Sequence, residues 1–172
     1  FVGKYNFNND KATPQVFGFE DGDESWEIKN NTGNYVIWKN DDFSGTAWQS
    51  DFEARYPDKS TDASRLQPLS SWIKSTDAEE ATDEALPEAV TYEDVEYTVD
   101  SAEYRLAKFK NELARYFDID ALCFNYLFTE LFLMVDNRAK NAFPTFYDET
   151  NLWYILPYDY DTALGINNEG SL

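Results

Sequence analysis

Ala121-Leu122-Cys123-Phe124-Asn125-Tyr126-Leu127-Phe128-Thr129-Glu130-Leu131-Phe132-Leu133-Met134-Val135 runs straight into Asp136-Asn137-Arg138-Ala139-Lys140-Asn141. The first run is long enough for about four helical turns. It is apolar on nearly every side, which predicts one helix over 121–135 in the middle of a core. Asp120 stands where a capping residue belongs. Such a helix delivers an aspartate, an arginine, a lysine and an asparagine to the edge of the core. Downstream, Trp153-Tyr154-Ile155-Leu156-Pro157-Tyr158 reads as a strand and ends in Asp159-Tyr160-Asp161. A buried helix and a buried strand that both end in carboxylates predict a site.

Outward from that pair, the preceding segment has helical spacing. Leu106, Phe109, Leu113 and Phe117 mark one face, with Arg105, Lys108, Lys110 and Arg115 elsewhere. Before it, residues 77–100 hold ten acidic side chains and no basic one, around Pro87. That run reads as a mobile, solvated acidic insertion. Leu66, Leu69, Trp72 and Ile73 again have helical spacing, and Pro68 suits the first turn of that helix.

The N-terminal part reads as short strands between tight turns. Phe1–Phe7, Val16–Phe19, Ser25–Lys29 and Tyr35–Lys39 are the candidate strands, and Asn8-Asn9-Asp10, Asp21-Gly22-Asp23 and Asn31-Thr32-Gly33-Asn34 the turns. Early strands, then helices and a late hairpin make the fold class α+β. The expected division is a β-rich lobe at 1–60 and a helical lobe at 61–172 that carries the insertion.

Composition narrows the chemistry. The 172 residues include 12 Tyr, 13 Phe and 5 Trp, enough for a proper core. Net charge is −19, with no basic run, so direct binding to nucleic acid is not expected. Histidine is absent, which excludes Ser-His-Asp and Cys-His catalysis and histidine-bearing zinc sites. The lone Cys123 lies in the apolar run, where a buried structural thiol is expected. What remains is carboxylates, amides, lysine, arginine and oxygen-seeking ions such as Mg²⁺, Mn²⁺ or Ca²⁺. No apolar segment reaches the length of a membrane span. The chain begins without methionine and stops soon after its richest motif, as expected of a piece of something longer.

Each polar group also has a plain structural reading. Asp136 can pair with Arg138 or Lys140, and Asp159 and Asp161 can cap turns. If the strand continues through them, Asp159 and Asp161 share a face and could share one cation. An EF-hand loop does not fit, because Ala163 and Leu164 occupy positions that need an oxygen ligand and a glycine. Two carboxylates of a glycosidase stay open, since nothing fixes their separation.

Asp136, four residues and Asn141 repeat the spacing of the kinase catalytic loop. Asp159-Tyr160-Asp161 with Gly165 resembles the DxDxxxG motif of the CotH (spore-coat) kinase-like proteins. The wording of 135–141 and 155–170 is similar to a divergent branch found in tailed-phage proteins. The resemblance covers residues 104–172 well and the rest loosely. It implies a kinase-like core, a small antiparallel sheet followed by a helical lobe, incomplete in this chain.

The resemblance also implies Mg²⁺ or Mn²⁺ with ATP as cofactors and a hydroxyl-bearing acceptor. Asp136 would orient or deprotonate that hydroxyl. Asn141 and Asp159 would hold the ion, and Asp161 a second one. Lys140 or Arg138 would offset charge on the phosphoryl group. A phosphate-binding lysine is expected on a strand of the small lobe, where Lys4, Lys11 and Lys29 are candidates. No GxGxxG or Walker stretch chooses among them. Glu27 and Lys29, on one strand face, also read as plain solvent-exposed neighbours. The alternative is a non-catalytic virion or tail protein that keeps the fold for assembly with other virion proteins. Virion or host cytoplasm is the implied location.

Overall fold

The computed structural model describes residues 13–29, 42–74, 89–92, 94–98, 102–134, 137, 141–159 and 163–165. They form an α+β arrangement, as expected. In chain order the elements are α1 (Pro14–Phe17), β1 (Glu24–Ile28), β2 (Phe52–Tyr56), α2 (Leu66–Lys74), β3 (Ala89–Tyr92), β4 (Val95–Thr98), α3 (Ala102–Tyr116), α4 (Ile119–Leu131), β5 (Ala142–Tyr147) and β6 (Leu152–Pro157). Four strands make an antiparallel sheet in the order β2-β1-β5-β6, and β3 and β4 form a separate hairpin. The four-stranded sheet thus takes two strands from each side of residue 60.

The sheet is built around aromatic burial. Trp26 and Ile28 alternate inward from β1, and Phe52 and Ala54 from β2, with Trp26↔Ala54 and Ile28↔Phe52 in register. On the other face Glu27 stands opposite Glu53, a like-charge pair that would destabilise the ladder. Arg55 ion-pairs with both, and Lys29 also pairs with Glu53, so the repulsion is offset. β5 is buried at nearly every position, as a central strand should be. Its pairing with β1 covers Glu24↔Phe146 and Ser25↔Thr145, with Ser25 Oγ 2.9 Å from Thr145 Oγ1. Pro144 follows with no N–H to offer, and beyond it β5 runs on with β6 alone.

α2 and α3 cover this sheet. Leu66, Leu69 and Trp72 are buried, and the Trp72 ring stacks on Phe109 and Tyr116. Trp72 Nε1 donates to Glu112 at 2.9 Å, and Lys108 Nζ donates to the Trp72 carbonyl at 3.1 Å. Lys108 and Glu112 are therefore buried, whereas the pattern of α3 placed Lys108 away from the packed face. The reason is that α2 ends there, and the ammonium satisfies one of its terminal carbonyls. Leu106, expected inside, is 55% exposed.

Of the other expectations, some are corrected and some lie outside the described residues. Val16–Phe19 is no strand: Pro14–Phe17 makes one helical turn, started by Pro14 and stopped by Gly18 at φ 70°. Phe52–Tyr56 is a strand that the sequence reading passed over. Residues 89–98 of the acidic stretch contain the β3–β4 hairpin, while 77–88, 93 and 99–100 lie outside the described residues. The strands expected at 1–7 and 35–39 lie outside them too.

The largest correction concerns α4. It begins at Ile119 and is capped by Asp118, whose carboxylate accepts from the Ala121 N–H at 2.8 Å, rather than by Asp120. It is not buried. Phe124 is 69%, Leu127 64% and Leu131 75% exposed, and Cys123 is exposed as well. All-round apolarity states how much apolar surface a helix carries, not what covers it. Only the side that bears Leu122 and Thr129 meets the rest of the described molecule. The strand expected at 153–158 is present as β6.

Candidate ion and phosphoryl site

Two routes through the chain lead to one place. At the end of α4 the Leu133 backbone turns at φ 48°, and the Met134 N–H returns to the Thr129 carbonyl at 2.8 Å. Thr129 and Met134 are buried, so this exit is anchored in packed side chains. The Asn137 N–H then donates to the Met134 carbonyl at 3.3 Å, and Asn137 is fully buried. The second route is the β5–β6 hairpin. Its last paired residues are Ala142 and Pro157; Asn141 precedes the first, and Tyr158 and Asp159 follow the second. The Tyr158 N–H donates to the Asn141 carbonyl at 2.8 Å, which closes the hairpin's open end, and the Tyr158 ring stacks on Phe143.

Asn141 and Asp159 both sit in the left-handed region, at φ 53° and 60°. Asparagine and aspartate tolerate that conformation better than other side-chain-bearing residues, so the sequence suits the backbone here. Asn141 Nδ2 lies 3.5 Å from the Asp159 carbonyl. Asn137 Nδ2 lies 2.7 Å from the Tyr158 carbonyl, 3.4 Å from that of Asn141 and 3.5 Å from that of Asp159. One amide thus faces three carbonyl oxygens across both routes. Its Oδ1 is buried and has no hydrogen-bond partner among the described residues. Beyond the hairpin, the Leu164 N–H donates to the Phe132 carbonyl at 2.5 Å, which returns the chain to the end of α4.

Of the expected site residues, Asn141 and Asp159 are brought together, through the Asn141 side-chain amide and the Asp159 backbone carbonyl. Asp136, Arg138, Lys140, Asp161 and Lys11 lie outside the described residues, as does Lys4. Lys29 follows β1, which runs antiparallel to β5. Continued beyond Ser25↔Thr145, that register would carry Lys29 to the level of Asn141. Its ammonium is ion-paired with Glu53. Among the described residues, no three Asp, Glu, Cys or His side chains cluster as a metal cage.

Among the described residues, the side-chain donors present at the open end are carboxylate and amide oxygens. Asp159 is exposed and forms no ion pair with a described residue. That donor chemistry fits Mg²⁺ or Mn²⁺ and suits no soft metal. Asn137, which the sequence reading passed over, is the residue at the centre of the geometry. Its signal was an uncharged amide set one residue beyond the end of a long apolar run, where a buried polar side chain must find backbone partners.

The far end of the hairpin is built differently. There Arg65 donates to the Gly22 carbonyl at 2.7 Å, ion-pairs with Asp148 at 2.8 Å and lies over the Phe146 ring at 4.3 Å. Burial pushes the Glu24 carboxyl up, against the lowering effects of the Trp26 N–H and of Arg65. Arg65 thus offsets part of the negative charge of Glu24 and Asp148 at that end.

The CotH kinase protein family model matches residues 19–171 of the chain. No curated protein and no solved structure matches it.

Proposed function

The chain belongs to the CotH kinase family, and from that premise we propose that it transfers a phosphoryl group from ATP to a hydroxyl acceptor with a divalent ion. The single observation that supports this most is the meeting of Asn141 and Asp159 at the open end of the β5–β6 hairpin. A kinase-like site needs an amide and a carboxylate from two separate motifs at one place. In this reading Asn141 and Asp159 hold Mg²⁺ or Mn²⁺, and Asp161 supports a second ion. The ion, when bound, supplies charge neutralisation to the phosphoryl oxygens. Asp136 orients the acceptor hydroxyl and takes up its proton. Arg138 and Lys140 offset charge on the transferring group. Lys11 or Lys29 contacts the donor's phosphates, and Lys29 does so only by exchanging its Glu53 partner.

Incubation with labelled ATP, Mn²⁺ and a panel of hydroxyl-bearing proteins, with the chain itself included, tests the proposal. Label transferred by the wild type and not by Asp159→Asn is the expected result. No transfer, together with no density for ATP or ion in a soaked crystal, overturns it.

A second reading has its own observation. The bare apolar face of α4, with Phe124, Leu127 and Leu131, suits a non-catalytic role in assembly, as in a virion or tail component. Particles that incorporate the wild type equally well with Asp159→Asn, and lose it with Leu127→Asp, would favour that reading.

A further inference from the structure

A buried amide is costly unless its hydrogens are used, and Asn137 is fully buried. Its Nδ2 faces the carbonyls of Tyr158, Asn141 and Asp159, all acceptors, so the amide can be oriented only one way. The Tyr158 bond, at 2.7 Å, is the strong one. The second N–H is shared between two longer approaches. Asn141 and Asp159, which flank that Tyr158 bond, are the two left-handed residues of the hairpin end. Such backbone persists only where its surroundings hold it. Aspartate would have no hydrogen to offer, serine would reach one carbonyl, and lysine would bring a charge. Oδ1, meanwhile, is buried and has no partner among the described residues. The side chain is therefore fitted for its donors at the expense of its acceptor.

We infer that Asn137 is a positioning residue: it clamps the two loop ends that carry Asn141 and Asp159 and so presets their side chains for an ion. The ion part of this inference rests on the proposed function, while the clamp does not. Asn137 touches no reacting atom in this account. It acts through the carbonyls of 141, 158 and 159.

Mn²⁺ affinity of the folded protein and hydrogen exchange of the Tyr158 amide without ion test it, in wild type, Asn137→Ala and Asn137→Asp. Asn137→Asp keeps the size and removes the donors. Both variants are expected to bind Mn²⁺ about 10–100-fold more weakly, the usual cost of losing a group that orients a ligand. Both should also lose Tyr158 protection. A residue that merely fills space would leave Mn²⁺ affinity unchanged in the folded variants, and Asn137→Asp would behave as wild type. Those results overturn the inference. If the wild type binds no Mn²⁺, the phosphotransfer reading fails, and the exchange measurement decides alone: lost protection supports the clamp, retained protection overturns it. Should neither variant fold, the wild-type side-chain amide protons of Asn137 decide, slow exchange supporting the clamp and fast exchange overturning it.

Discussion

α3 and α4 are consecutive helices of similar length with opposite fates. α3 is the more polar of the two, yet it buries Tyr104, Ala107, Lys108 and Glu112. α4 is apolar nearly all round, yet it exposes Phe124, Tyr126, Leu127 and Leu131. The difference teaches that burial is decided by what a helix meets. α3 meets α2 and the aromatic core, where even a lysine and a glutamate find partners on Trp72. Among the described residues α4 is met on one side only, and its contribution is concentrated at its end, where Thr129, Met134 and Asn137 turn the backbone into the candidate site.

The largest effect should come from the packed side of that contrast. Trp72→Ala removes a fully buried ring that stacks on two others, and should cost about 3–5 kcal/mol in denaturant unfolding. A loss below about 1 kcal/mol would mean that α2 and α3 are not packed as described. Next, Lys108→Met keeps an apolar stem and strips the Trp72 carbonyl of its donor. About 1–3 kcal/mol should be lost, and an unchanged stability would show the buried lysine to be incidental.

The fold was legible where periodicity and burial agree. α2, β1 and β6 were all readable from spacing, and so was the α+β class. Val16–Phe19 misled because Pro14 and Gly18, which set its ends, outweigh an apolar run of that length. α4 misled because hydropathy carries no information about the covering surface. At the candidate site, motif spacing singled out Asn141 and Asp159, which the fold places next to each other. It did not single out Asn137, since its importance lies in three carbonyls that are remote in sequence and meet only when the hairpin closes against the end of α4.

A pH titration sharpens the contrast from the side of buried charge. Burial raises the Glu24 carboxyl above its ordinary value, so the folded state holds that proton more tightly than the unfolded state. The stability it contributes is present below the unfolded pKa and is lost as pH rises through the folded one. Glu24→Gln keeps an acceptor for Trp26 and removes the titration. The difference in melting temperature, wild type minus variant, should therefore increase as pH falls from 7 towards 4. A difference that does not change with pH would place Glu24 in water. The smallest effect belongs to α4: Leu127→Ala should change stability by no more than about 0.5 kcal/mol, since the side chain is 64% exposed. The cost of about 2–5 kcal/mol that a core leucine would show would instead restore the buried helix.

The central claim is that the open end of the β5–β6 hairpin holds a divalent ion, and melting with and without Mn²⁺ tests it most directly. An ion at about 100 times its Kd adds about 2.7 kcal/mol to the folded state. For a chain of this size the melting temperature of the wild type should rise by about 5–10 °C. Asp159→Asn, which removes the proposed carboxylate ligand from an exposed position, should fold normally and show no rise. A wild type indifferent to Mn²⁺, or an Asp159→Asn variant that gains as much as the wild type, would contradict the account.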